Sequence, residues 1–288
     1  MPENASTALR LLRLGLVGRG IQLSRTPRMH EAEAAAHGIA CRYELLDTGA
    51  GLTGTLAEIL DRAEADGFAG LNVTYPFKQE AVALVDELSD AARRVGAINT
   101  IVFAGGRRTG HNTDLWGFAE SVRRGLPDAA MGTVLLIGAG GAGAAVAHAL
   151  ADMGASRILI ADPRGEAAEA LARSINASAV GGRAECANDL ASAAGVADGI
   201  VNATPVGMAD LPGAPLDIDL LAPRHWVADI VYFPLETELL QAARARGCAT
   251  LGGEGMAVFQ AVRAFECFTR LTPDPARMRD TFRSLGAP

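Results

Sequence analysis

The sequence predicts an α/β fold in two layered halves, the second of them a Rossmann dinucleotide-binding unit. Three observations carry this. Apolar, strand-like runs alternate with helical patterns along the chain, as when helices cover a sheet. The alternation halts at a polar, turn-rich stretch, Gly105–Asp114, and then restarts. The restart places Gly138-Ala-Gly-Gly-Ala-Gly143 between an apolar strand and an apolar helix.

Taken in order, the first half has strand-like runs at Leu12–Gly18, Arg42–Asp47, Gly70–Tyr75 and Ile98–Phe103. Helical patterns lie between them at Thr26–His37, Thr55–Asp66 and Gln79–Leu88. Thr26-Pro27 reads as an N-cap followed by a first-turn proline. Leu115–Arg124 reads as a connecting helix and Gly125–Gly132 as a short linker. The second half has strands at Thr133–Ile137, Arg157–Asp162, Gly199–Ala203, Trp226–Val231 and Ala249–Gly252. Its helices fall at Ala142–Met153, Glu166–Ile175, Asp189–Ala194 and Glu236–Arg246. Gly255–Leu285 is mostly helical, has no strand pattern, and should pack on one of the earlier sheets. The division expected is residues 1–114, 115–254 and 255–288.

Composition narrows the function. A chain of 288 residues suits one large domain or two ordinary ones. With 49% hydrophobic and 20% charged residues it is not a disordered chain. A net charge of −7 without a basic block argues against general nucleic-acid binding. Aromatics are only 5% and 33 residues are Gly, so the core must be aliphatic, with close backbone packing. Cys41, Cys186, Cys248 and Cys267 are widely spaced, with no C-x-x-C and no partnered His. Buried free thiols in a reducing cytosol are expected, not zinc or disulfides. The leading MPENASTALRLLRLGLVG carries Glu3 early and lacks a small-residue cleavage site, a poor secretory signal. Ala129–Ala151 has no Lys, Arg, Asp or Glu and is long enough to cross a bilayer. Its clustered glycines fit a buried strand, a turn and a buried helix better.

The glycine motif alone is weak; its context is specific. Gly138, Gly140, Gly141, Ala142 and Gly143 follow the strand TVLLI and open the helix AAVAHALADMG. This geometry lets a pyrophosphate approach backbone amides at a helix N-terminus. Asp162 ends the next strand, where a carboxylate accepts from the adenosine ribose hydroxyls and repels a 2′-phosphate. Arg164 is the nearby cation that opposes this preference. The sign of Asp162 favours NAD over NADP.

A dinucleotide does not define a reaction, so the first half must. Asn72-Val-Thr-Tyr-Pro-Phe-Lys78 sits at one strand end, Gly96-Ala-Ile-Asn-Thr100 opens another strand, and Gly110-His-Asn-Thr-Asp114 closes the half. In a parallel sheet the C-terminal strand ends form the ligand crevice. Asn72, Thr74, Lys78, Asn99 and Asp114 are therefore expected to converge on a small polyhydroxylated molecule. Turn chemistry and capping would explain any one of the Asn or Thr residues taken singly. His111 is expected in turn packing.

These residues carry a resemblance. GLVGRGIQLSRTPRMH, NVTYPFK, GAINT, GHNTD, GAGGAG, NATPVGM, DIVYFPLETELL and GMAVFQA together resemble the shikimate/quinate dehydrogenase family over nearly the whole chain. The resemblance implies a substrate domain, a Rossmann domain and C-terminal helices that return to the first domain. It implies Lys78 and Asp114 as the catalytic pair, and Ser24 and Thr26 at the substrate carboxylate. Asn72, Thr74, Asn99 and Gln260 would line the ring hydroxyls. Ala203, Thr204 and Pro205 would border the nicotinamide side, with Ile230 and Gly253 nearby. Two departures, Ser24-Arg25-Thr26 for Ser-x-Ser and Asp162-Pro163-Arg164 for Asn-Arg-Thr, resemble the NAD-dependent quinate/shikimate branch. Thr26 adds a methyl at the carboxylate end, where quinate carries its extra C1 hydroxyl.

The reaction implied is hydride transfer between NAD and a ring secondary alcohol, giving 3-dehydroquinate or 3-dehydroshikimate, with Lys78 as base and no metal. A lysine is a base only when neutral; burial favours that form and an adjacent carboxylate opposes it. Alternatives are an NADP-dependent biosynthetic shikimate dehydrogenase and an aminoquinate or aminoshikimate dehydrogenase. A third is a non-catalytic NAD(H) sensor, which would have no need of both Lys78 and Asp114. A cytoplasmic enzyme with a small-molecule substrate is expected, without nucleic-acid or membrane partners. Its oligomeric state is left open, a homodimer among the options.

Overall fold

A computed structural model of the chain describes residues 11–178 and 183–285. Met1–Arg10, the start of the stretch read as a poor secretory signal, lies outside the described residues. The described residues form two sheets, each of six strands.

In the first sheet β1 (Leu12–Gly18), β2 (Cys41–Asp47) and β3 (Gly70–Val73) run parallel, with β1 in the middle. β5 (Thr100–Ala104) then pairs antiparallel with β3, and β6 (Arg107–His111) antiparallel with β5. The short β4 (Glu87–Leu88) closes the outer edge against β6. The sheet is therefore mixed, where parallel strands were expected. β5 enters against β3 after the excursion through β4, and a hairpin inside the stretch read as a turn adds a second reversal: Gly105 and Gly106 both adopt positive φ, 60° and 71°, and fold β6 back on β5. Two left-handed residues in a two-residue loop match the twist of the flanking strands. β6 is polar, so periodicity did not mark it.

Three helices cover this sheet. α1 (Thr26–Ala36) is capped by Arg25 rather than Thr26, which occupies the first helical position. α2 (Leu56–Ala65) starts on a capping box, with Thr55 and Glu58 satisfying each other's backbone N–H. Gln79–Leu88 is not the helix expected: a 3-10 turn at Glu80–Leu84 ends as Val85 becomes extended, and β4 follows. The helix there is α3 (Asp90–Val95), capped by Ser89 and ended by left-handed Gly96. Both of its end signals stood in the sequence.

α4 (Asp114–Gly125) leads to the second sheet. Its strands are β7 (Thr133–Ile137), β8 (Arg157–Ala161), β9 (Arg183–Cys186), β10 (Gly199–Asn202), β11 (Trp226–Asp229) and β12 (Ala249–Leu251). All pair in parallel, in the order β9-β8-β7-β10-β11-β12, the doubly wound arrangement that reverses between β7 and β10. α5 (Gly141–Asp152), α6 (Gly165–Ala177), α7 (Leu190–Val196) and α8 (Glu238–Ala245) cover both faces. Alternate strand residues serve the two faces: Val134, Leu136, Ile158 and Ile160 pack on the α5 side, Leu135, Ile137, Leu159 and Ile200 on the other.

α9 (Glu254–Thr269) packs along α4, closely enough that a Cβ on Gly117 would stand 2.8 Å from the Gln260 nitrogen. Its far end brings Ala264 and Phe268 onto Leu14, Leu16 and Tyr43 of the first sheet. α10 (Pro275–Ser284) packs on α1, where Met278 and Phe282 meet Met29. Glu33, fully buried, is matched there by a two-pronged ion pair from Arg277 at 2.7 and 3.2 Å. The C-terminal helices thus return to the first sheet. All four cysteines are unpaired; Cys248 is buried and the other three only partly so. No described helix is long and apolar enough to cross a membrane.

Candidate active site

The reversal of β5 builds the polar edge of the first sheet. It sets the start of β5 beside the end of β3 and the end of β6, with Asn72, Thr100 and His111 in register. Loops from all three strands therefore leave from one edge. Lys78 Nζ donates to Asp114 Oδ2 at 2.7 Å. Asn99 Nδ2 donates to the other oxygen, Oδ1, at 3.0 Å and to Thr113 Oγ1 at 2.8 Å. Asn72 Nδ2 donates to the Asn99 carbonyl at 3.2 Å and to Thr100 Oγ1 at 2.9 Å. Asn72, Asn99 and Asp114 are buried, and Lys78 keeps part of its side chain open. Four of the five residues expected to converge here do so through hydrogen bonds. The N–H groups of both Asn72 and Asn99 are held within the protein, and Asn72 Oδ1, which accepts from the Tyr43 hydroxyl at 2.8 Å, has one lone pair left for a ligand. Thr74 follows β3, with its N–H on the Val17 carbonyl at 3.0 Å. Gln260 on α9 lies against Gly117, one helical turn after Asp114.

Ser24 and Thr26 flank Arg25 at the start of α1, and the Thr26 N–H reaches Ser24 Oγ at 3.3 Å. The cap of α1 is Arg25, and it makes no side-chain capping hydrogen bond. The loop before it is fixed by Asp47, an acid the sequence reading passed over. Asp47 accepts from the N–H groups of Gly20, Ile21 and Gly49 and from Gln22 Nε2, at 2.8–3.0 Å. The Gln22 amide first, with these backbone N–H groups, outweighs desolvation and holds the Asp47 carboxyl at about 2. Arg25 is buried, stacked on Phe233 and Phe282, and donates to the Phe282 carbonyl. Tyr232, from the loop after β11, packs against Phe233 and Phe282. Its phenol is pushed up by desolvation and by the charge of Asp114, against the pull of Arg25.

The nucleotide loop lies at the reversal point of the second sheet. Gly138 has φ 107°, and a Cβ on Gly143 would stand 2.0 Å from the Gly138 carbonyl oxygen. Those two positions therefore require glycine. A Cβ at Gly140 would meet nothing, so the mouth of the loop is open. Gly141 runs against Lys78: a Cβ there would sit 3.5 Å from the Lys78 Cβ. The glycine loop and the polar edge are one site. Asp162 Oδ2 accepts from the Ala139 N–H at 2.8 Å, and Oδ1 from Arg164 N–H at 2.9 Å and Nε at 3.2 Å. Desolvation would raise the Asp162 carboxyl, but these bonds and the Arg164 charge hold it below the usual carboxylate range. It is an anion at neutral pH; Oδ1 is taken up by its two bonds from Arg164, and Oδ2 has a lone pair left for a hydroxyl. Arg164 is paired to that acid rather than standing free.

Two further strand-end loops close the crevice. Asn202 at the end of β10 accepts from the Thr204 N–H and hydroxyl, and donates to Asp229 Oδ1 at 3.0 Å. Asp229 also takes the Thr237 hydroxyl at 2.7 Å and the Val231 N–H at 3.0 Å. This cross-link fixes the segment Ala203–Pro205 against Ile230. Gly253 lies so close to that loop that a Cβ would be 2.4 Å from the Ile230 carbonyl oxygen.

The family model for the shikimate dehydrogenase substrate binding domain matches residues 16–101. A quinate/shikimate dehydrogenase (NAD(+)) of Corynebacterium efficiens is 50% identical over 281 residues, 94% of this chain and 98% of that one. A shikimate dehydrogenase (NADP(+)) of Streptomyces avermitilis is 51% identical, over 92% of each chain. The chain belongs to the shikimate/quinate dehydrogenase family. Among solved members, quinate dehydrogenase from Corynebacterium glutamicum in complex with NAD superposes with a TM-score of 0.89 at 47% identity, covering 95% of this chain and 99% of that one. Identity alone does not separate this chain's NAD-dependent from its NADP-dependent relatives, at 50% and 51%. Thr113, Thr100, Tyr43, Asp47, Tyr232 and Asp229 lie in or beside this polar cluster and its loops and were not among the residues expected there. Thr113, Thr100, Asp229 and Tyr232 lie inside the motifs GHNTD, GAINT and DIVYFPLETELL; Tyr43 and Asp47 carry no local signal beyond their place on a strand.

Proposed function

We propose that this enzyme oxidises quinate or shikimate at a ring secondary alcohol with NAD, giving 3-dehydroquinate or 3-dehydroshikimate. The observation that carries the reading is the Lys78–Asp114 pair set directly against the Gly141 backbone of the nucleotide loop. The loop fits a dinucleotide: its mouth is open at Gly140, and the Asp162 anion stands at the end of β8, where a ribose is held. Gly138, Gly140, Gly141, Ala142 and Gly143 would hold the pyrophosphate and Asp162 the ribose, with Ala203, Thr204, Pro205, Ile230 and Gly253 around the nicotinamide. Bound NAD supplies the hydride acceptor.

The chain's own residues do the rest. Ser24 and Thr26 hold the substrate carboxylate by hydroxyl hydrogen bonds. Asn72 Oδ1, Thr74, Asn99 and Gln260 surround the ring hydroxyls. The Lys78 amine takes the proton of the reacting hydroxyl as its carbon loses hydride, and the product is a ketone. Asp114 stabilises the ammonium so formed and, held by Asn99 from its other oxygen, keeps Lys78 in place. Residues 1–114 would serve the substrate, residues 115–254 the NAD, and residues 255–288 would tie back to the first part. The free thiols support a reducing, cytoplasmic setting. Incubation with NAD and each acid should produce NADH together with the 3-dehydro acid. No NADH from either acid contradicts the reading, and a sensor would behave in that way.

A further inference from the structure

A buried tyrosine stands at the far end of the polar chain that ends on Lys78. Tyr43, on β2, is 6% exposed, its ring lying 5.2 Å from that of His30 and packed with Leu14 and Phe268. Its hydroxyl donates to Asn72 Oδ1 at 2.8 Å. From there the chain is continuous. Asn72 donates to the Asn99 carbonyl and to Thr100 Oγ1, Thr100 to Asn99 Oδ1 at 3.3 Å, and Asn99 to Asp114, whose other oxygen takes Lys78.

The direction of every bond is fixed. A backbone carbonyl only accepts, so the Asn72 group facing the Asn99 carbonyl must be the NH₂. Its Oδ1 must then face Tyr43, which has to be the donor. Desolvation raises the phenol well above its ordinary value, so the donor proton stays in place. Asn99 is fixed likewise: Oδ1 takes the Thr113 N–H at 2.8 Å, so its NH₂ must face Thr113 Oγ1 and Asp114. The substrate therefore meets acceptors on Asn72 and Asp114, beside the Lys78 amine.

We infer that Tyr43 is a positioning residue for the proposed dehydrogenase reaction, acting through Asn72 and Asn99 on the Lys78–Asp114 pair. Without its hydroxyl the buried Asn72 Oδ1 loses its protein donor and is free to turn toward the ligand space, loosening Asn99 and the carboxylate that it holds. The inference rests on the reading of the site given above. It predicts that a ring-hydroxyl site with mismatched polarity costs the acid substrate and leaves the dinucleotide alone.

The test is Tyr43→Phe, which removes one oxygen and keeps the buried ring. We expect kcat/KM for quinate or shikimate to fall about ten-fold, the worth of one net hydrogen bond, with a raised KM for the acid and an unchanged KM for NAD. In a cycle with Asn99→Ser the two losses should be less than additive, because both act on one chain. Thr100→Val, which cuts the same chain with an isosteric side chain, should change the same parameters and covers a Tyr43→Phe protein that does not fold. In the ligand-free protein, the ¹⁵N side-chain amide signal of Asn99 should move in either variant. A purely structural Tyr43 would lower Tm with both KM values and the Asn99 signal unchanged, and that result overturns the proposal. Inactivity of the wild-type protein on both acids would instead remove the functional reading, and the Asn99 signal would still decide whether Tyr43 reaches the pair.

Discussion

The two halves of the crevice are built on opposite plans. The NAD-facing half is mostly local: strand, glycine turn, helix and acid all lie between residues 133 and 162, with Gly143 packed on the Gly138 carbonyl, and Gly138 and Gly141 reaching outside, to Ala203 and Lys78. The substrate-facing half is assembled from residues 24, 43, 72, 78, 99 and 114, brought together by the reversal of β5 and by hydrogen bonds across the strands. A local site is read from a motif and altered one position at a time. An assembled site transmits a change at one residue to the others.

Four measurements would break or sharpen that contrast. The largest effect is expected at the assembled half. Lys78→Ala should lower kcat by about 10²–10⁴, the usual share of general acid–base catalysis, with a much smaller change in KM. Wild-type turnover in a folded variant would remove Lys78 from the reaction.

Next comes Thr26→Ala. A hydroxyl donating to a carboxylate is worth about 1.5–3 kcal/mol, so the KM for the acid should rise by about one to two decades. Thr26→Ser keeps the hydroxyl and should alter only the ratio of quinate to shikimate turnover. Unchanged KM values in Thr26→Ala would place the carboxylate elsewhere.

At the local half the effect should stay confined to one property. A 2′-phosphate about 4 Å from the Asp162 carboxylate is repelled by about 2 kcal/mol even at the dielectric of water, roughly thirty-fold. Arg164 does little to offset this: it is exposed and already bonded to Asp162. Asp162→Asn should narrow the NAD/NADP gap mainly by improving NADP, leaving the KM of the acid unmoved, and added salt should narrow the gap in the wild type. A raised acid KM in this variant would show that the halves are not separable.

The smallest effect concerns the loop before Thr26. Asp47 is held at about 2 in the folded protein, below its unfolded value near 3.9. A depressed folded pKa contributes stability that is present above the unfolded value and is lost as pH falls through the folded one. The Tm difference between wild type and Asp47→Asn should therefore be full at neutral pH and shrink between about pH 4 and pH 2. A difference that ignores pH would mean that the charge is not what fixes the loop.

The same contrast explains what the sequence disclosed. The second sheet was legible nearly strand for strand because its strands are apolar and its turns carry glycine. The exception, β9 (Arg183–Cys186), is an edge strand with only Ala184 fully buried, so no hydrophobic run marks it. In the first half Lys78, Asp114, Asn99 and Asn72 were legible through their motifs, but the sense of the sheet that unites them was not. β5 turns against β3 with no local signal, and the polar β6 beyond its Gly-Gly hairpin reads as an ordinary loop. Residue type points to Thr26 as the cap, whereas the backbone at Arg25 takes that place and Thr26 becomes the first helical residue. Tyr43 had no signal at all, since a tyrosine in a strand is ordinary core until its partner across the sheet is known.

The most direct test of a site made from these two halves is a steady-state assay that crosses quinate and shikimate with NAD and NADP. At least one of the acids should be oxidised with NAD, with kcat/KM for NAD exceeding that for NADP by about thirty-fold or more at low salt, where repulsion by Asp162 is least screened. Equal or better turnover with NADP would contradict the account of Asp162, and no turnover in any of the four combinations would contradict the assignment of the site itself.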